Sequence, residues 1–229
     1  MRLNKYIAES GFCSRRKADS LIENGSVKIN GNIAKLGDQV SERDKVSINN
    51  QVLTPKNEDI FIVLNKPYGV ICTKDKDAKD TIYDYVKSDD RLLYAGRLDV
   101  ESSGLVLLTN NGDIINKITR PSSNHEKEYV VTVDKEMTRK FIYSMASGVM
   151  LDGSKTKPAK VRKLTDTKFN IVLTEGRNRQ IRRMCASLGY EATSLKRVRI
   201  MNIKLGQLGV GNSRPLTKTE RRELLSALK

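Results

Sequence analysis

Two stretches of this 229-residue sequence hold residue types that do chemistry, at spacings that bring them together. The first is Ala95–Asn111, AGRLDVESSGLVLLTNN. Asp99 follows an apolar stretch and stands two residues after Arg97. In extended chain both side chains project the same way. Pattern alone leaves two readings open: a working carboxylate, or a turn residue that caps a backbone N–H. The second stretch is GRNRQIRRM, where Arg177, Arg179, Arg182 and Arg183 fall within seven residues. On a helix Arg179, Arg182 and Arg183 share one side. Like charges this close repel unless an anion sits among them. Phosphate or a carboxylate partner is the natural answer.

The charge of the whole chain points the same way. Lys and Arg number 42 against 27 Asp and Glu, for a net charge of +15. That excess suits a polyanion. Arg177–Lys204 alone carries eight basic residues against the single acid Glu191. A second basic edge lies at Arg15, Arg16 and Lys17. Cations are disfavoured at a positive helix N-terminus, so an outside phosphate would explain them. His125, the only histidine, sits between Asn124 and Glu126 in a loop and is not expected to act as a base. Cys13, Cys72 and Cys185 are far apart, which suits a reducing cytoplasm. Cys185 falls on an apolar helix stripe and reads as core. One histidine and no CxxC leave no usual zinc set, and no metal is expected.

These groups need elements to hold them. Leu3, Tyr6 and Ile7 have helical spacing that Gly11 ends. Ser14 caps a second helix with Ala18, Leu21 and Ile22 inward and Gly25 beyond its end. Val27 and Ile29 then alternate with polar residues, and Asn30-Gly31 supplies a hairpin turn. The polar stretch Asn49–Asp59, with Pro55, is expected to be a linker. It divides a domain at 1–55 from one at 59–229. In the second, strands are expected at 60–64, 69–73, 105–109, 128–133, 160–164, 169–173 and 198–205. Turns are expected at Asn111-Gly112 and Asp166-Thr167. Helices are expected at 113–119, 137–146 and 178–188, and at the C-terminus, where Thr217 and Glu220 form a capping box. The fold class is therefore α+β. The longest apolar run, Ile60–Leu64, is far short of the ~20 residues that span a membrane, and Met1–Ser10 is too polar for a secretory signal.

Four segments carry a resemblance. Asn65-Lys66-Pro67-x-Gly69 ends a strand, Arg97–Leu105 reads RLDVESSGL, Lys127-Glu128-Tyr129 opens a strand, and GRNRQIRRM opens a helix. Together they resemble the RsuA/RluB/RluE/RluF family of pseudouridine synthases, and the RluF branch in particular. The stretch Arg2–Val40 resembles the S4 RNA-binding module that such enzymes carry. The resemblance covers essentially the whole chain. Many family members have Thr where this chain has Ser102.

The resemblance implies a small S4 helix-hairpin domain, then a catalytic domain with a mixed, mostly antiparallel sheet and flanking helices. It implies isomerisation of uridine to pseudouridine in 23S ribosomal RNA, with a transfer RNA as a further candidate substrate. The alternative is an S4-type RNA-binding protein that has lost catalysis. Asp99 takes the position of the catalytic aspartate, Tyr129 that of the active-site tyrosine, and Arg182 that of the cation paired with Asp99. Arg97, Leu98, Val100, Arg179, Gln180, Ile181 and Lys66 are expected to contact RNA, as are Arg15, Arg16 and Lys17. Lys66 and Pro67 would shape the pocket floor. Arg97 would stack in the gap left by a flipped uridine. The isomerisation loses no atom, so no cofactor is expected. The expected partner is an RNA stem-loop, and the expected state a cytoplasmic monomer.

Overall fold

The computed structural model describes residues 1–55, 58–75 and 77–229. The chain divides into two compact units. One is residues 1–60 with 88–93 and 110–112; the other is 61–87, 94–109 and 113–229.

In the first unit, α1 (Leu3–Glu9) and α2 (Arg15–Glu23) precede four short strands. These are β1 (Val27–Ile29), β2 (Asn32–Ile33), β3 (Val46–Ile48) and β4 (Gln51–Leu53), in the order β2-β1-β3-β4. Ser14 caps α2 as expected, its hydroxyl accepting from the Lys17 N–H at 3.2 Å. Leu3, Ile7, Ala18, Ile22, Val27, Val46 and Ile48 close the small core. The linker was expected to start at Asn49. Instead Asn49 and Asn50, both at positive φ, turn the chain into β4. Asn tolerates that conformation, so the polar pair makes a hairpin and the sheet gains a strand. Lys56 and Asn57, later in the expected linker, lie outside the described residues.

The second unit is built on one nine-stranded sheet. Its strands are β5 (Phe61–Lys66), β6 (Leu93–Ala95), β7 (Ser103–Thr109), β8 (Lys127–Val133), β11 (Lys160–Lys163), β12 (Lys168–Leu173), β13 (Ala192–Ile200), β14 (Ile203–Lys204) and β15 (Ser213–Pro215). A separate hairpin joins β9 (Met150–Leu151) to β10 (Ser154–Lys155). The main order is β11-β12-β8-β13-β7-β5-β15, with β14 on β13 and β6 on β7. Among the described strands, only β13 and β7 pair in parallel, through Lys196–Ser103 and Arg197–Gly104. The helices α3 (Gly112–Thr119), α4 (Arg139–Ser147), α5 (Gln180–Ser187) and α6 (Lys218–Ala227) pack on this sheet.

Two cores flank the β13–β7 junction. One gathers Val131, Phe141, Phe169, Ile171, Ile181, Met184 and Cys185; the other gathers Leu105, Leu107, Ile118, Ile200, Ile203 and Leu224. Each such buried side chain contributes roughly 1.5–3 kcal/mol. The capping box at the start of α6 forms as expected from Thr217 and Glu220.

Three local expectations change. Gly69–Thr73 is not a strand: only Ile71 bridges, to Thr81, because the chain there faces a 3-10 turn rather than a continuous partner. The expected strand over 198–205 is a hairpin, since Met201 takes φ 51° and reverses the chain between β13 and β14. Gly112 opens α3 instead of closing a turn.

Candidate active site

The turn that leads into β7 carries Asp99. Its carbonyl accepts from the Ser102 N–H at 3.0 Å, which closes the turn. Gly104 makes the turn possible. At φ +103° it lies flat on β13, and a Cβ there would come within 2.2 Å of the Arg197 carbonyl oxygen. Only glycine lets the two backbones approach this closely.

Three cations from distant segments hold the carbonyls around Asp99. Lys66, fully buried at the end of β5, donates to Ser102 O at 2.7 Å, Pro67 O at 2.8 Å and Val100 O at 3.4 Å. Arg197, 2% exposed on β13, donates through Nε to Leu105 O at 2.7 Å and through Nη2 to Gly96 O at 3.1 Å. Arg182 on α5 donates to Glu101 O at 2.7 Å and to Ala192 O at 2.5 Å. Lys66 and Arg197 thus satisfy buried backbone acceptors with charge-assisted bonds. Burial lowers the Lys66 ammonium from its ordinary value, and nearby Cys72 and Asp99 counter that. The turn is thus held by several hydrogen bonds, while the half-buried Asp99 carboxylate has none to another described residue.

Asp99 faces a cleft of about 350 Å³. Tyr129 lines it from β8, where it stands opposite Ile171 on one side and Arg197 on the other. Lys127 lines it two residues earlier on the same strand face. Burial, and then the charge of Arg197, lower the Lys127 ammonium. The start of α5 supplies Arg177–Arg182, and the end of α3 supplies Thr119 and Arg120. Arg179 takes φ 48° as it enters α5, which turns the chain sharply into the helix.

Known proteins place this geometry. A family profile described as RNA pseudouridylate synthase matches residues 60–187, and one for the S4 domain matches residues 1–46. The "Dual-specificity RNA pseudouridine synthase RluF" of Salmonella typhi is 50% identical over 221 residues, covering 96% of this chain and 76% of that protein. The "Ribosomal small subunit pseudouridine synthase A" of Haemophilus influenzae is 39% identical over 231 residues, 98% of this chain and 100% of that one. A crystal structure of a pseudouridylate synthase matches with a TM-score of 0.72 at 38% identity, over 98% of this chain and 99% of that chain. The chain belongs to the RNA pseudouridine synthases.

Most residues singled out in the sequence meet in the synthase's cleft. Asp99, Tyr129, Arg182, Arg97, Leu98, Arg179, Gln180 and Ile181 all line it. Leu98, Gln180 and Ile181 are buried. The Gln180 amide is already spent, donating to Glu175 Oε1 at 2.7 Å and accepting from the Arg177 N–H at 3.0 Å. Val100 is exposed beside the turn and outside the cleft lining. Arg15, Arg16 and Lys17 are exposed in the first turn of α2.

Two expectations need correction. Lys66 was expected to contact RNA. It is fully buried and its ammonium is engaged by backbone carbonyls, so it braces the Asp99 turn from behind. Arg182 was expected to pair with Asp99. It binds Glu101 instead, because the turn that aims Asp99 into the cleft presents both the carbonyl and the carboxylate of Glu101 to α5. The arginine cluster finds its anions inside the synthase: Arg179 and Arg182 on Glu101, Arg183 on Asp152, and Arg177 near Glu175. The Arg179 hydrogen bond holds the Glu101 carboxyl below its ordinary value.

Sequence reasoning missed Arg197, Gly104, Lys127 and Arg120. Lys127 stands in the same KEY segment as Tyr129, at the strand spacing that shares a face. That spacing was the available signal.

Proposed function

We propose that this synthase converts a uridine of 23S ribosomal RNA to pseudouridine, with a transfer RNA as a second substrate. The carrying observation is Asp99, presented to the cleft on a turn whose carbonyls three cations hold, with Tyr129 lining the same cleft. The dual-specificity RluF relatives, identical at about half of the aligned positions, support the choice of RNA.

The target uridine leaves its stack and enters the cleft, which costs a few kcal/mol. Arg97, exposed at the cleft, stacks in the vacated space. The N1–C1′ bond breaks, and the Asp99 carboxylate stabilises the electron-deficient sugar carbon. The uracil turns over, and C5 bonds to C1′. The C5 proton leaves and N1 gains one, so the atoms balance without a co-reactant. Tyr129 stacks on the ring and keeps its hydroxyl near C5 for that proton. A glycoside hydrolase would need a second working carboxylate roughly 5–10 Å from the first. Glu101 is the neighbour in sequence, but Arg179 and Arg182 occupy it.

The test pairs wild type with Asp99→Asn on 23S rRNA from a strain lacking this protein, with pseudouridines mapped by carbodiimide labelling and primer extension. The expected result is one new stop with wild type and none with the variant. The same stop with both proteins, or no stop with wild type on 23S rRNA, would overturn the proposal.

A further inference from the structure

The cations around the cleft fall into two groups. Those on and before α5 have protein carboxylates: Glu101, Asp152 and Glu175. At the other end, Arg120 after α3 and Lys127 on β8 line the cleft beside Arg97. Among the described residues, none of these three side chains has a carboxylate partner. Arg197 adds a fourth positive charge there, and its bonds go only to carbonyls. Gly96 lies between Arg197 and Thr119, 3.8 and 4.0 Å from them measured to an ideal Cβ, so the end of α3 and the Arg197 guanidinium meet at this end of the cleft.

Acids exist nearby, but the strand turns them away. Lys127 and Tyr129 share the cleft face of β8, while Glu126 and Glu128 take the alternate positions. Arg199 binds both, at 3.0 Å from Glu126 and 2.6 Å from Glu128. Lys160 takes Glu126 as well, and Asn170 takes Glu128. The neighbouring His125 can supply no negative charge in either protonation state, and burial and then Lys127 lower its pKa. Gathering cations while diverting the local carboxylates costs free energy unless an external anion completes the set.

We propose that Arg120 and Lys127 form a subsite for one backbone phosphate of the RNA strand whose uridine enters the cleft. The inference rests on the reading of this cleft as an RNA site and names the part of the RNA that this end holds. A strand rise of about 3.4 Å per residue sets Lys127 roughly 7 Å along β8 from Tyr129. A nucleotide with its base on Tyr129 therefore has its backbone within reach of the Lys127 ammonium. Arg120, exposed at the cleft edge, closes on the same phosphate from the α3 side.

The probe is a fluorescein-labelled decauridylate, titrated against wild type, Arg120→Gln, Lys127→Gln and the double variant from 50 to 200 mM salt. Arg139→Gln, an exposed change on α4, is the control. Each subsite variant is expected to flatten the plot of log affinity against log salt, and the double variant by about 0.7 in all, the share of one phosphate on a single strand. The control keeps the wild-type slope. A steep wild-type slope that neither single variant changes would overturn the subsite alone. A flat wild-type profile would overturn the RNA reading of the cleft along with it. Arg120 is exposed, so its variant reports on the subsite even if Lys127→Gln folds poorly.

Discussion

Arg182 grips Glu101 twice. Its Nη2 donates to the Glu101 carbonyl at 2.7 Å, and its Nε lies 3.8 Å from the carboxylate. The arginine therefore acts on the Asp99 turn through the backbone two residues on. Arg179 joins from the helix entrance, 2.8 Å from the same carboxylate. Glu101 neutralises Arg179, which is open to the cleft, and Arg182, which is largely buried beside it.

Glu101→Gln frees that charge. RNA affinity at low salt is expected to rise, and its salt dependence to steepen by up to one phosphate's worth, about 0.7 in slope on a single strand. The pair is exposed, so the melting temperature should stay close to wild type. Titration with decauridylate at several salt concentrations reads the first effect, and a thermal melt the second. Weaker binding at low salt would show that Glu101 orders the arginines for RNA rather than shielding them.

Lys66→Met removes the brace behind the turn. The buried Ser102 carbonyl loses its donor, at about 1–3 kcal/mol, and the part-buried Pro67 carbonyl loses one as well. A urea melt should register the loss as a lower midpoint. Turnover should fall more than RNA affinity, because Asp99 loses its rigid mount while the cationic rim is untouched. Equal losses in both would mean that Lys66 serves folding alone.

Gly104→Ala tests the approach of β7 to β13. The added methyl meets the Arg197 backbone at 2.2 Å, and φ +103° strains any L side chain. Overpacking of this kind costs about 1–3 kcal/mol, and the backbone strain adds to it. Low soluble yield or a sharply reduced melting temperature is expected. A stable, active variant would mean that the two strands can separate without harm to the site.

Acid stability should depend on Arg199. Its hydrogen bond holds the Glu128 carboxyl below its ordinary value, and those of Lys160 and Arg199 do the same for Glu126. Carboxylates depressed in the folded state stabilise it above their unfolded pKa, about 4.3 for Glu. That stability is lost as pH falls through the lower folded values. Arg199→Met returns Glu128 toward its ordinary value and Glu126 only part-way, since Lys160 remains, so its stability should fall less steeply below about pH 4 than that of wild type. Melts from pH 3 to 7 read this directly. Parallel curves for the two proteins would show that the clamp carries no linked protons.

Local features were legible in the sequence because their causes are local. Ser14 caps α2 through the next turn of chain, and Thr217 finds Glu220 three residues away. Asp99 stood out because its segment pairs an acid with basic and apolar neighbours at fixed spacing. What stayed hidden depends on chain that arrives from far away. Nothing local marks Lys66 and Arg197 as buried; the pairing of β5, β7 and β13 buries them. The partner of Arg182 hinges on the turn over Asp99–Ser102, and no spacing distinguishes Asp99 from Glu101 as the acid that turn offers to α5. Residues 69–73 have strand composition and no adjacent strand to pair with.

The Arg197 clamp also sets a schedule. Its guanidinium donates to carbonyls 92 and 101 residues earlier in the chain. A ribosome adding about 5–20 residues per second makes the aspartate several seconds before it makes the arginine. During that interval the Asp99 carboxyl stands on a turn without its Arg197 clamp, with β7 lacking its parallel neighbour. The cleft can close only after Arg197 has been made. The synthase therefore has no finished cleft until β13 has been made.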